Sequence, residues 1–147
     1  MPSLVLGVDL GTTNTKVALA AVDGTGLQVR SVATAPTPSP RRLGPALEQL
    51  IASACRGVHP EAVGIASMAE TGVPLDVDGR PLGDWLRWDR GRPGDDADRL
   101  AAQLGWAELV RATGTRPSAK VPLAAWRWLR RTDPDRFAAL SRWAGVA

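Results

Sequence analysis

Apolar residues in the first third of the chain fall in short runs and alternations, the pattern of strands rather than helices. Leu4-Val5-Leu6-Gly7-Val8-Asp9 is an apolar run ending on a carboxylate, and Thr15-Lys16-Val17-Ala18-Leu19-Ala20 alternates loosely. These predict two strands joined at Gly11-Thr12-Thr13-Asn14. Asp23-Gly24 is a turn signal, and Leu27-Gln28-Val29-Arg30-Ser31-Val32 alternates into a third strand, so three antiparallel strands open the fold. The stretch from Pro36 to Pro45 holds four prolines and reads as a loop. The period then changes: Leu43, Leu47, Leu50, Ile51, Ala54 and Cys55 recur at helical spacing. Cys55 belongs to that apolar stripe and reads as a core residue, while His59, just before Pro60, reads as a loop residue without chemistry.

Ala62-Val63-Gly64-Ile65-Ala66-Ser67 predicts a buried fourth strand. Val73-Pro74-Leu75-Asp76 and Pro81-Leu82-Gly83-Asp84-Trp85-Leu86 flank Asp78-Gly79 and predict a small hairpin. Asp76-Val77-Asp78-Gly79 has the look of a calcium loop, but the bidentate glutamate such a loop requires downstream is absent, so a turn is expected. Helices are predicted at 95–104, at 106–112 with a stop at Gly114, and at 121–131. A last helix starts at Asp133-Pro134, an N-cap followed by proline, and carries Phe137 and Leu140 inward. No internal repeat or low-complexity tract interrupts this order. Three strands, a helix, a strand and then helices point to an α/β fold of the ribonuclease-H/actin type rather than a doubly wound one.

A chain of 147 residues has room for one domain, and 44% hydrophobic with 22% charged residues is ordinary for a globular one. One cysteine excludes a disulfide framework, and one cysteine with one histidine excludes a structural zinc site. No apolar run approaches a bilayer span, and the opening residues have neither a basic segment nor a small-residue cleavage site. A cytoplasmic protein without a membrane partner is the expectation. The net charge is +3, and every positive residue except Lys16 and Lys120 is arginine, interleaved with acids as in Arg87-Trp88-Asp89-Arg90. A solvated surface is expected from that mixture, and no nucleic-acid partner. Trp126-Arg127-Trp128-Leu129-Arg130-Arg131 reads the same way: Val121, Ala125, Trp128 and Leu129 make an apolar stripe with arginines opposite.

The stretch with most chemistry is Gly7-Val8-Asp9-Leu10-Gly11-Thr12-Thr13-Asn14-Thr15-Lys16. Asp9 ends a strand, where a carboxylate can hold a hydrated magnesium ion. Gly11 lets backbone approach a ligand without a Cβ in the way. Hydroxyls and amides of Thr12, Thr13 and Asn14 can wrap phosphate oxygens, and Lys16 adds charge. The pattern is neither a Walker A loop nor a dinucleotide-binding glycine turn. The competing reading is a polar hairpin with an acid beside it.

Asp-Leu-Gly-Thr-Thr-Asn resembles the first phosphate loop of the superfamily of sugar kinases, actin and heat-shock chaperones, and is also similar to the first strand of RuvC-like resolvases, whose leading Asp binds metal. The loop does not choose among them. Further segments do: Gly64-Ile65-Ala66-Ser67-Met68-Ala69-Glu70-Thr71-Gly72-Val73-Pro74-Leu75-Asp76 resembles the fourth strand and substrate loop of FGGY carbohydrate kinases. Asp78-Gly79-Arg80-Pro81-Leu82 with Trp88-Asp89-Arg90-Gly91-Arg92 resembles their next hairpin and Trp-Asn/Asp-x-x-Arg segment. Thr113-Gly114-Thr115-Arg116, Pro122-Leu123-Ala124-Ala125-Trp126 and Asp133-Pro134-Asp135-Arg136-Phe137 resemble their Thr-Gly segment and helix pair.

This resemblance implies that residues 1–147 are the N-terminal domain, incomplete, of an enzyme using ATP and Mg²⁺ to phosphorylate a sugar or polyol hydroxyl. By the same resemblance Asp9 organises the metal and Gly11, Thr12, Thr13, Asn14 and Lys16 hold phosphates. Glu70, Trp88, Asp89 and Arg92 then face the sugar, and Trp85 is a second candidate for stacking on it. The catalytic Asp of such kinases and their second phosphate loop lie downstream, so no catalytic base is assigned here and the chain alone is expected to be inactive. The chain departs from the family in having Met68-Ala69-Glu70 where the glycerol branch has Gln-Arg-Glu and the xylulose branch Gln-Met-His. It also has Leu123 where a lysine is common. Two alternatives belong to other classes: a RuvC-like nuclease using Asp9 and Glu70 as a metal pair, and a kinase remnant that binds without turnover.

Overall fold

The structure is a computed structural model that describes residues 2–68, 70–87 and 93–146. Its chain divides into two compact units, residues 1–68 with 146–147, and residues 69–145.

In the first unit, β1 (Ser3–Leu10), β2 (Asn14–Asp23), β3 (Gly26–Pro36) and β4 (Ala62–Ser67) form one sheet in the order β3-β2-β1-β4. The first three are antiparallel, as their short turns demand. β4 is parallel to β1, and α1 (Leu43–Cys55) is the crossover helix that a parallel pair requires. Alternation decides the faces: Leu6, Val8 and Leu10 on β1 stand beside Leu19, Val17 and Thr15 on β2, and all six are buried. α1 packs on β2 and β3 and buries Leu50, Ala54 and Cys55, so the cysteine is the core residue its stripe implied. The helix ends at Arg56, which adopts the left-handed conformation (φ 48°) and donates its amide to the Ala52 carbonyl. His59 follows, exposed and outside any regular element.

Two expectations are corrected in this unit. β4 is not buried: Val63 and Ile65 are 58% and 65% exposed. Their register places them beside Leu6 and Val8, but α1 covers β2 and β3 and leaves β4 at the open side. The apolar run reports a preference for burial, and no described element satisfies it. The proline-rich stretch is also more ordered than a loop. Pro36 closes β3, Pro40–Arg42 form a 3₁₀ turn, and Pro45 lies in the first turn of α1, where a missing N–H leaves no bond unmade. At its other end β4 is tied to β1 through Glu61. Its amide donates to the Leu4 carbonyl, and its carboxylate accepts from the Ser3 hydroxyl and the Leu4 amide.

The second unit contains β5 (Gly72–Leu75), α2 (Gly94–Leu104), α3 (Trp106–Thr113), α4 (Pro122–Thr132), α5 (Pro134–Ala138) and β6 (Arg142–Gly145). The expected hairpin around Asp78-Gly79 is reduced to isolated bridges, Gly72 to Leu86 and Leu75 to Pro81. Pro81 lacks a donor and Gly83 takes a positive φ of 124°, so the second arm does not sustain a ladder. The strand that pairs with β5 is β6, antiparallel, from the far end of the unit. The turn itself forms as expected: the Asp76 carboxylate accepts from the amides of Asp78 and Arg80. Gly105 and Gly114 close α2 and α3. Pro122 opens α4, and the Asp133 side chain caps α5 by accepting from the Arg136 amide. α2 packs on α4 through Ala97, Leu100 and Ala124, with Val121 against them. Trp128, Phe137 and Leu140, expected to point inward, are half-buried, and the fully buried positions of α4 are Ala124 and Leu129.

Candidate functional site

The turn between β1 and β2 is the three-residue segment Gly11-Thr12-Thr13, and the ladder beneath it fixes its position. Asp9 pairs with Lys16 and Leu10 with Thr15 across the two strands. Leu10 and Thr15 face the core, so Asp9 and Lys16 stand side by side on the opposite, exposed face. Neither makes a hydrogen bond or ion pair with a described residue, so both charges are available at the mouth of the turn.

Gly11 is required by the turn itself. Its amide donates to the Asn14 carbonyl at 3.1 Å, and a Cβ there would sit 2.8 Å from that same oxygen. The close approach inferred for this glycine is first of all to its own loop. Thr12 is half-buried, and Thr13 and Asn14 are exposed.

A residue that the sequence did not single out holds this loop. Thr37, directly after β3, donates its amide to the Thr13 carbonyl at 2.9 Å and its hydroxyl to the Gly11 carbonyl at 2.7 Å. Its hydroxyl also lies 3.1 Å from that of Thr15, which is buried. One residue thus clamps both ends of the turn, Thr13 by its amide and Gly11 by its hydroxyl, and its side chain gives the buried Thr15 hydroxyl a partner. The only signal was a threonine among prolines, which is no signal without the register of β3 against β2.

Glu70 lies in the second unit, half-buried, two residues before β5. No described arginine pairs with it. Its neighbour Thr71 is buried and its hydroxyl has no partner among the described residues. Trp88, Asp89 and Arg92 lie outside the described residues. Trp85 is half-buried, with its amide donating to the Asp84 carboxylate. The structure therefore assembles Asp9, Gly11, Thr12, Thr13, Asn14 and Lys16 around one turn, and it places Glu70 in the other unit.

The residues at the turn suit a magnesium–phosphate group. Magnesium keeps several waters and takes one or two carboxylates along with substrate phosphates. An exposed, unpaired Asp9 offers one such ligand, and no described cluster of three acids, histidines or cysteines offers an all-protein cage. Lys16 and the polar loop supply complementary donors for oxyanions. Among the described residues no helix is long and apolar enough to cross a membrane.

Comparison with known proteins bears on the same chemistry. The N-terminal domain model of the FGGY family of carbohydrate kinases matches residues 4–147. Xylulose kinase of Streptomyces coelicolor is 34% identical over 93% of the chain and 30% of its own length. Gluconokinase of Bacillus licheniformis is 24% identical over 99% of the chain and 31% of its own length. The chain thus spans less than a third of these relatives. In structure it is similar to xylulose kinase from Rhodospirillum rubrum (TM-score 0.86, 24% identity, 97% of this chain and 32% of that one). It is also similar to gluconate kinase from Lactobacillus acidophilus (TM-score 0.83, 17% identity, 99% and 32%). These likenesses establish the ribonuclease-H/actin-like α/β fold, and nothing among them favours a resolvase. With the family model covering nearly every residue, the chain belongs to the FGGY family of carbohydrate kinases.

Proposed function

We propose that the chain supplies the first phosphate loop, and part of the sugar-binding surface, of an enzyme that transfers a phosphoryl group from ATP to a sugar or polyol hydroxyl. The supporting observation is the Thr37-clamped turn, with Asp9 and Lys16 unpaired and side by side next to it. Phosphoryl transfer demands positioning and charge neutralisation more than covalent chemistry. The loop Gly11–Asn14 positions phosphate oxygens, Lys16 contributes positive charge, and Asp9 would ligate Mg²⁺ directly or hold one of its waters. The ion, when bound with the nucleotide, neutralises charge developing on the phosphates. Glu70 accepts hydrogen bonds from adjacent hydroxyls of the sugar, with Trp88, Asp89 and Arg92 completing its surroundings. Sugars acted on by the relatives, xylulose and gluconate, are the first to test.

The test has two readings. Titrating the 147-residue chain with Mg²⁺–ADP should shift amide resonances of residues 11–16, and Asp9→Asn should weaken that response without unfolding the sheet. In the enzyme that carries this domain, Glu70→Gln should raise the sugar KM and leave the ATP KM nearly unchanged. Normal turnover of the Asp9 variant at every magnesium concentration would remove the loop assignment. Equal losses for both substrates would make Glu70 structural.

A further inference from the structure

Where α2 faces α4 the surface carries a depression of about 350 Å³ lined by Asp96, Arg99, Arg127, Arg130 and Arg131. We propose that this depression binds a multivalent oxyanion of the phosphate class, such as pyrophosphate or a phosphate monoester, at a site independent of the Gly11–Lys16 loop.

The sequence places the arginines there. Arg127 lies three and four residues before Arg130 and Arg131 on α4, and Asp96 lies three before Arg99 on α2, so each set gathers on one side of its helix. Four guanidiniums then surround one carboxylate, an excess of positive charge in a concave setting.

The carboxylate is already committed. Asp96 is fully buried and takes two hydrogen bonds from Arg131, Nη2 to Oδ2 at 2.8 Å and Nε to Oδ1 at 3.3 Å. Arg127 stands 3.7 Å from Oδ1 and donates to the Gln103 side chain at 2.7 Å. These contacts orient two guanidiniums and use only some of the five donors each carries. Arg99 and Arg130 are exposed and make no hydrogen bond or ion pair with a described residue.

Asp96 offsets one of the four like charges, so the remaining repulsion falls when a further anion joins them, and planar guanidinium forks match phosphate oxygens in pairs. Arg127 and Arg131, already oriented, lose little further freedom on binding, so the arrangement favours a compact, multiply charged ligand over chloride.

Isothermal titration at fixed ionic strength tests this, with inorganic pyrophosphate and glucose 6-phosphate as separate probes. The variant carrying Arg99→Gln and Arg130→Gln spares the Asp96 pairs and should keep the melting temperature. It should bind the probe about tenfold more weakly or worse. Lys16→Gln, in the other unit, should weaken only binding at the phosphate loop and leave the binding equivalent that is lost with Arg99 and Arg130. The stronger probe tells a free polyphosphate from a sugar ester. Undiminished binding in the double arginine variant overturns the proposal, as does a loss confined to Lys16→Gln. Equal competition by chloride would reduce the depression to a solvated face. Tighter retention of a short DNA duplex than of either probe would make it a nucleic-acid surface instead.

Discussion

The two units are stabilised differently. In the first, β1, β2 and β3 are joined by long antiparallel ladders, and the core is a layer of Leu6, Val8, Leu10, Val17 and Leu19 beneath α1. In the second, α2 and α4 meet through Ala97, Leu100 and Ala124, two of them with almost no side chain, beside a buried carboxylate. Backbone hydrogen bonds survive most side-chain changes, whereas a small core leans on each group it contains. Single substitutions should therefore hurt the second unit more than the first, and the expected effects can be ranked on that basis.

The largest effect is expected from Arg131→Met. It leaves Asp96 inaccessible to water with only the 3.7 Å contact to Arg127. Removing the partner that hydrogen-bonds a buried carboxylate is destabilising, and more so here than any change below, with Arg127 and the solvent around the half-exposed Arg131 position moderating the loss. Hydrogen exchange should report faster opening of α2 and α4 with β1 and β2 unchanged. Equal acceleration in both would dissolve the contrast between the units. The pair also sets a pH dependence. Hydrogen bonds from Arg131 hold the Asp96 carboxyl below its usual range, against the opposing pull of burial. A carboxyl more acidic in the folded than in the unfolded chain stabilises fully above about pH 4 and loses that contribution as pH falls through its folded value. Denaturant titrations of the native chain should show that loss, and Arg131→Met should flatten it.

A smaller loss, about 2 kcal/mol, is expected for Gly72→Ala. A Cβ at Gly72 would lie 2.5 Å from Cε2 and Nε1 of Trp143, whose ring meets Trp126 edge-on at 6.0 Å between centroids. The indole must move, so near-ultraviolet dichroism should change along with stability. An unchanged spectrum would show that β5 and β6 tolerate the extra methyl.

The contrast also governs what the sequence revealed. Local signals were legible: the alternation of β1 to β3, the α1 stripe with buried Cys55, the glycines after α2 and α3, and the Asp133 cap. Each depends on residues within a few positions. What escaped depends on tertiary coverage or distant pairing. Val63 and Ile65 look like core residues, yet only the reach of α1 decides their exposure. β6 is four residues long and becomes a strand because β5 is there to pair with it. The candidate site divides along the same line: Asp9 and the Gly11–Lys16 loop form a contiguous motif, while Thr37 reaches the loop through the register of β3.

Within the first unit, Gly11→Ala should cost less than either change above, about 1.5 kcal/mol, because its Cβ would meet one atom, the Asn14 carbonyl oxygen at 2.8 Å, and that atom being backbone the turn itself must shift. Its effect should concentrate on function. The response to Mg²⁺–ADP should fall by more than the fall in stability accounts for, since the turn supplies the loop geometry. A proportionate loss of both would mean that the loop tolerates rearrangement and is a poorer candidate for phosphate positioning.

Thr37→Val should have the smallest effect on stability, about 1 kcal/mol. The substitution keeps the shape and the amide bond to Thr13 but removes the hydroxyl that donates to the Gly11 carbonyl and neighbours Thr15. The β1–β2 ladder runs to Leu10 and Thr15 without this hydroxyl, so the strands should hold. What loosens is the first residue of the turn, where a weaker clamp lets the loop sample positions unsuited to phosphate. Thr37→Ser, which restores the hydroxyl, should recover the Mg²⁺–ADP response, although it lacks the methyl. If serine fails where threonine succeeds, packing of the methyl rather than the hydroxyl holds the turn. If valine binds as well as threonine, the ladder alone fixes the loop and the contrast between the units is sharper still.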